Sequence, residues 1–227
     1  MAITDGAAWR LLHTDDPYAG FPLEGWDLDL QGWGSKDPVF AHLIEQVRPG
    51  RIIEVGTWKG ASAINMARHA ARLKLSTQII CVDTWLGSHE HFLKRDHEAY
   101  RASLHMRHGY PHLYEQFMAN VLHTQQQHTI VALPQTSQHA AVILRRLGLT
   151  APLIYIDAAH DYEPALEDLD TYWRLLDDGG VLFGDDYKHQ PVRRAVDTFA
   201  TAQQLEIHAT KTKFALTTRA DFAWPPS

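Results

Sequence analysis

The stretch 51-RIIEVGTWKGASAINMA-67 decides the fold. Residues 51–56 form a short, nearly continuous apolar run, the pattern of a strand buried on both faces. Two glycines, Gly56 and Gly60, then carry the chain into a helix. Strand, tight turn and helix in direct succession are the opening of a parallel α/β unit. Working outward, the same alternation recurs. It predicts strands at 51–56, 78–84, 129–134, 152–158 and 180–185, with helices at about 60–73, 112–125, 137–147, 163–177 and 191–203. Upstream, Ser35 or Asp37 caps a helix from Pro38 to about Val47, with Phe40, Leu43, Ile44 and Val47 on one face. Downstream, LEIHAT (205–210) and KFALTTR (213–219) lie too close for a crossover helix and predict a hairpin, so one terminal strand is antiparallel. The expected architecture is α/β, a doubly wound Rossmann-like sheet, mostly parallel.

A chain of 227 residues with 45% hydrophobic and 21% charged content fits one domain, 1–227, with a real core. Within it, residues 1–37 read as an irregular, aromatic-rich N-terminal arm or lid, and 86–125 as a helical insertion. The insertion and its flanks hold eight of the 15 histidines, but with no HExxH or comparable helical pair that has a fitting third ligand. The formal charge of −6 and the lack of a basic block argue against nucleic-acid and membrane-surface partners and leave a small molecule as the expected one. Cys81, the one cysteine, sits in an apolar run and reads as a small buried hydrophobe. Neither an export signal nor an apolar run approaching about 18 residues is present, so a cytoplasmic protein is expected.

In a doubly wound sheet, ligands bind outside the carboxyl ends of the strands, where strand order reverses. Gly56 and Gly60 permit a tight turn and close approach to backbone N–H groups, but E-V-G-T-W-K-G is not G-x-G-x-x-G and lacks the close glycine pair that suits a pyrophosphate. Glu54, at the strand end, suits a cationic amine instead, and Asp83, closing the second strand, suits the two hydroxyls of a ribose. An adenosine joined to an amino acid without phosphate describes S-adenosylmethionine. At the far side, Asp157 closes the fourth strand and Asp185-Asp186 the fifth. On strands about 4.8 Å apart, three carboxylates converge, which favours a bound hard divalent cation such as Mg²⁺. The alternative is that Asp186 caps a turn and Asp157 bonds backbone N–H groups.

IIEVGTWKGASAINMA and CVDTW resemble the first two motifs of class I S-adenosylmethionine-dependent methyltransferases, and the likeness extends through IYIDAAHDYEPALEDLDTYWRLLDDGGVLFGDDY to the closing hairpin. The chain is similar to the metal-dependent O-methyltransferases of antibiotic sugars and, more distantly, to catechol O-methyltransferase. That resemblance implies seven strands with the last antiparallel. It also implies that Glu54, Gly56, Trp58 and Gly60, with Ser62, line the methionine end of the cofactor. Asp83 and Thr84 would meet the ribose, and Thr136 or Ser137 the adenine. Asp157, Asp185 and Asp186 would hold the metal, and His160, three residues beyond Asp157, would take the proton from an acceptor hydroxyl, unless it only caps the next helix. The expected partner is a small-molecule hydroxyl acceptor, and the arm suits packing on a second subunit in a homo-oligomer. Rival readings are a cofactor-binding accessory protein without methyl transfer, since proteins of cephalosporin tailoring are similar too, and a nicotinamide-dependent oxidoreductase.

Overall fold

The computed structural model describes residues 8–93 and 101–225, so the first seven residues of the expected arm and 94–100 of the expected insertion lie outside the described residues. Seven strands form one sheet: β1 (Arg51–Val55), β2 (Gln78–Asp83), β3 (Ile130–Pro134), β4 (Ala151–Ile156), β5 (Leu176–Gly184), β6 (His208–Ala209) and β7 (Phe214–Thr217). Their order is β3-β2-β1-β4-β5-β7-β6. β1 to β5 run parallel, and β7 pairs antiparallel with both β5 and β6. Strand order therefore reverses between β1 and β4, which opens a crevice at their carboxyl ends.

Period-two alternation divides the strands between two cores. Ile52, Cys81, Ala132, Leu153, Tyr155 and Phe183 face one side, with α2 (Pro38–Val47), α3 (Ala61–Arg72) and α5 (Leu113–His123) packed over them. Ile53, Val55, Val82, Ile154 and Leu182 face the other, under α6 (Ser137–Arg146), α7 (Tyr162–Trp173) and α8 (Gln190–Gln203). Two short helices, α1 (Ala8–Leu12) and α4 (His89–Leu93), complete the set used below. Asp37 caps α2, accepting the Val39 N–H at 2.9 Å.

Most strand boundaries shift from expectation by one or two residues, the helix expected at 163–177 ends at Trp173, and two strands differ by more. β5 begins at Leu176 rather than 180, because Leu176 pairs with Ala151 before a register shift brings Val181 opposite Leu153. β6 is only two residues long because Leu205 is used elsewhere: Gln204 takes a left-handed conformation and the Leu205 N–H bonds the Ala200 carbonyl, closing α8.

Residues 13–35 are held by buried polar groups rather than by regular structure. The Tyr18 hydroxyl donates to the Ile130 carbonyl at 3.0 Å. The Asn120 amide brackets Asp29, accepting from its N–H and donating to its carbonyl, and also donates to the Lys59 carbonyl. The Lys59 ammonium, 2% exposed, pairs with the Asp29 carboxylate at 2.6 Å. These contacts fix Gly32–Ser35 beside the turn that follows β1.

Candidate active site

The crevice at the switch point is a cleft of about 600 Å³, a size suited to a small-molecule ligand. Its floor is the β1–α3 turn. Gly56 adopts φ +83°, and a Cβ there would lie 2.0 Å from the Asp157 carbonyl oxygen, so β1 and β4 approach as closely as they do only because the side chain is missing. Asp83 ties the turn down: one carboxylate oxygen accepts the Thr57 and Trp58 N–H groups at 2.9 and 2.8 Å, the other the Trp85 N–H at 2.8 Å. Burial raises the Asp83 pKa, and these N–H donors oppose the shift. Trp58, at φ +54°, stacks on His91 with centroids 4.7 Å apart and donates its indole N–H to Gln31 at 3.0 Å, which joins the wall to the N-terminal segment.

At the other end, Asp157, His160 and Asp186 each present one ligating atom within 4.8 Å of the others. His160 Nε2 lies 3.0 Å from Asp186 Oδ2. That contact raises the His160 pKa and lowers that of Asp186. Asp157 is pushed up to about 6, first by burial and then by the charge of Asp185. Asp185 turns away from this group: its Oδ2 bonds the Lys213 ammonium and its Oδ1 accepts the Asp186 N–H. Lys213 is fully buried and also donates to the Tyr155 hydroxyl at 3.0 Å, and Tyr155 donates to Asp157 Oδ2 at 2.9 Å. A fixed ammonium thus balances Asp185, while the carboxylates of Asp157 and Asp186 meet at the cleft beside the His160 imidazole. That donor set fits a divalent cation.

Of the residues expected from sequence, Gly56, Trp58, Ser62, Asp83, Thr84, Ser137, Asp157, His160, Asp185 and Asp186 line the cleft. Three others sit behind its wall. Gly60 caps α3 at φ +83°, against the Phe117 ring, and Thr136 caps α6, accepting the His139 N–H. Glu54 is 0% exposed. Its neighbours in register are Cys81 and Tyr155, its carboxylate accepts from the Ser62 hydroxyl, and the Cys81 thiol lies 3.4 Å away. Glu54 therefore acts on the cleft through Ser62. Lys213, Tyr155, Gln135, Gln138 and Asp168 escaped sequence reasoning: Lys213 reads as the first residue of the closing strand-like run, and Asp168 as one of several acids along α7.

Burial pushes the Glu54 pKa from its ordinary 4.5 to about 8. The folded state therefore keeps a proton that the unfolded chain releases, and stability falls as pH rises between those values, by at most about 1.4 kcal/mol per pH unit. Glu54→Gln removes this term and leaves the other acids in place. Urea titrations of the two proteins are expected to show wild type losing more than about 1 kcal/mol relative to the variant between pH 5.5 and 8; parallel curves would sink the assignment of a buried neutral Glu54.

A family profile described as a methyltransferase domain matches residues 53–187, from β1 through the acidic pair. The chain belongs to this methyltransferase family. No curated protein matches the methyltransferase by sequence. Among solved structures it is similar to the O-methyltransferase NovP, at 17% identity over 79% of this chain and 78% of that one, with a TM-score of 0.59. TomG, an O-methyltransferase from Streptomyces achromogenes involved in tomaymycin synthesis and solved with S-adenosylmethionine, gives 15%, 84%, 82% and 0.57. An O-methyltransferase from Bacillus cereus in complex with S-adenosylhomocysteine gives 12%, 86%, 84% and 0.55. At these identities the likeness is one of fold, including the seven-stranded sheet with its antiparallel end. Among the described residues no helix is long and apolar enough to cross a membrane.

Proposed function

We propose that this methyltransferase uses S-adenosylmethionine to methylate a hydroxyl on a small molecule, with a divalent cation, Mg²⁺ or a similar ion, held by Asp157 and Asp186 beside His160. The observation that carries the reading is the convergence of those three side chains at one end of a cleft whose remaining length runs past Gly56 and Asp83 to Ser137. When bound, S-adenosylmethionine supplies an electrophilic methyl group, and a cation beside it lowers the pKa of an acceptor hydroxyl. The protein's own part is positioning and proton management. Tyr155 holds Asp157 in place. His160, half-buried and drawn toward Asp186, lies where it accepts a hydroxyl proton once its contact with that carboxylate is relaxed. Trp33, Gly34 and Ser35 close the cleft from the N-terminal side, which supports a covering role for that segment.

Calorimetric titration of S-adenosylmethionine and S-adenosylhomocysteine, with Mg²⁺ and after EDTA, tests the reading. Micromolar binding of either in both conditions is expected, with transfer to a hydroxyl acceptor abolished by EDTA. Absence of binding in both conditions would overturn the cofactor assignment, and transfer insensitive to chelation would overturn the metal.

A further inference from the structure

The cleft, at about 600 Å³, has room for about one small-molecule ligand. In the reading above that ligand is the cofactor, extended from the acidic end past Asp83 to Ser137. An acceptor therefore presents its hydroxyl at the acidic end and keeps its bulk at the mouth. Two elements border that mouth with apolar side chains. Gly34 packs so closely on Asp185 that a Cβ there would stand 2.7 Å from its Oδ2, which sets the preceding Trp33 beside the acidic end. Trp33 lines the cleft and is 54% exposed, although tryptophan is highly buried on average. Its ring meets that of Trp58 at 6.1 Å, tilted by 46°. The second element is α4. His91 stacks on the same Trp58, and His89 approaches Asp161 at 4.0 Å, so α4 crosses from the β1–α3 turn to the loop that carries His160. Glu90 of α4 lines the cleft, and Leu93, three residues on and so on the same side of the helix, is 72% exposed.

We propose that the acceptor carries an extended apolar body, which rests against Trp33 and Leu93 while its hydroxyl enters the acidic end. This inference rests on the S-adenosylmethionine reading above and adds to it the chemical class of the substrate. A compact polar acceptor held wholly inside the cleft covers neither side chain. An apolar body laid across them removes its own surface and theirs from water. Apolar residues scattered singly over a surface carry no such meaning. These two stand at one end of one cleft, on segments that both pack on Trp58, next to the groups that would position a hydroxyl. Lys188 and His189 border the same end from the loop after β5, and both are exposed, so they stay in water when an apolar body lies on the Trp33 side.

Analogues of S-adenosylhomocysteine in which nitrogen replaces sulfur and carries an n-alkyl chain test this without knowledge of the acceptor, because the chain leaves the reacting atom toward the acceptor's position. Calorimetry of the methyl, butyl and octyl members on wild type is expected to show the octyl analogue binding at least about 10-fold tighter than the butyl, well within the roughly 4-fold available per fully buried methylene. A glycol-ether chain of octyl length is expected to gain less than about 3-fold over butyl, since its oxygens lose water on burial. In Trp33→Ser the octyl-to-butyl ratio is expected to fall below about 3-fold, and in Leu93→Ser to an intermediate value. Each ratio is taken within one protein, so changes in cofactor affinity cancel, and the largely exposed Leu93 secures the comparison if Trp33→Ser disturbs the N-terminal segment. An octyl analogue no tighter than butyl, an equal gain from the ether chain, or a gain that survives both substitutions would overturn the apolar acceptor while leaving the cofactor reading intact. If wild type binds neither S-adenosylhomocysteine nor the methyl analogue, the cofactor reading fails and this inference falls with it.

Discussion

Asp157→Ala and Asp186→Ala are each expected to lower methyl transfer by at least about 100-fold while leaving S-adenosylhomocysteine affinity within about 3-fold. Both side chains face the acidic end of the cleft, and neither contributes to its opposite wall at Ser137 and Asp168. Removing one takes away a cation ligand, together with the hydroxyl positioning it provides. Residual transfer in either variant should no longer respond to EDTA. Wild-type rates, or unchanged chelator sensitivity, would remove the metal from the mechanism.

Asp185 provides the contrast. It is adjacent to Asp186 in sequence, but its carboxylate is committed to Lys213, whose side chain is 0% exposed. Asp185→Asn therefore leaves a buried ammonium without its counter-charge, a type of change that costs about 3–5 kcal/mol. The expected signature is lost stability, with cation affinity retained by whatever fraction remains folded. Mn²⁺ binding followed by electron paramagnetic resonance separates the cases: loss in the Asp186 variant with retention in the Asp185 variant is the expected pattern.

Gly56→Ala is expected to cost about 3–5 kcal/mol, an effect at the large end for a single substitution. Its Cβ would stand 2.0 Å from the Asp157 carbonyl oxygen, 2.5 Å from the carbonyl carbon and 2.8 Å from the Ala158 Cα. All three are backbone atoms. Asp157 is further held by its N–H bond to the Val55 carbonyl at 2.8 Å, so relief requires parting β1 from β4 at the point where the cleft opens. Gly148 isolates the conformational part of the cost, since it has φ +67° and a Cβ there would meet nothing within 4 Å. Gly148→Ala should lose only about 1–2 kcal/mol. Denaturant unfolding of the two variants side by side checks the difference, and equal losses would mean that the strand contact at Gly56 is not tight.

Much of this protein was legible along the chain because the signals are local. Alternating strands and helices, the glycine turn at Gly56 and the closing pair of strand-like runs each specify backbone geometry within a few residues. They place Asp83, Asp157 and Asp186 at the carboxyl edge of a parallel sheet, and the crevice follows from that topology. Glu54 was legible as an acid at a strand end, but not as a buried one. Its side faces Ser62 and Cys81 beneath the cleft, a matter of which face of β1 the pleat assigns to it.

The tertiary structure decided how the charges are paired. Asp185 and Asp186 look like one motif in sequence. Both lie just past the end of β5, however, and Asp186 takes a left-handed conformation at φ +58°, so the two side chains part. One acid meets His160 from the β4–α7 loop, and the other meets Lys213 from the turn before β7. Asp168 meets the cleft only because α7 packs against the start of α6. Strand propensity and turn geometry act between neighbours in the chain, so the sequence by itself determined the sheet and its edge. Coulomb pairing and desolvation act through space between segments tens of residues apart, so the structure alone decided which carboxylates are neutralised within the protein and which are left to meet a ligand.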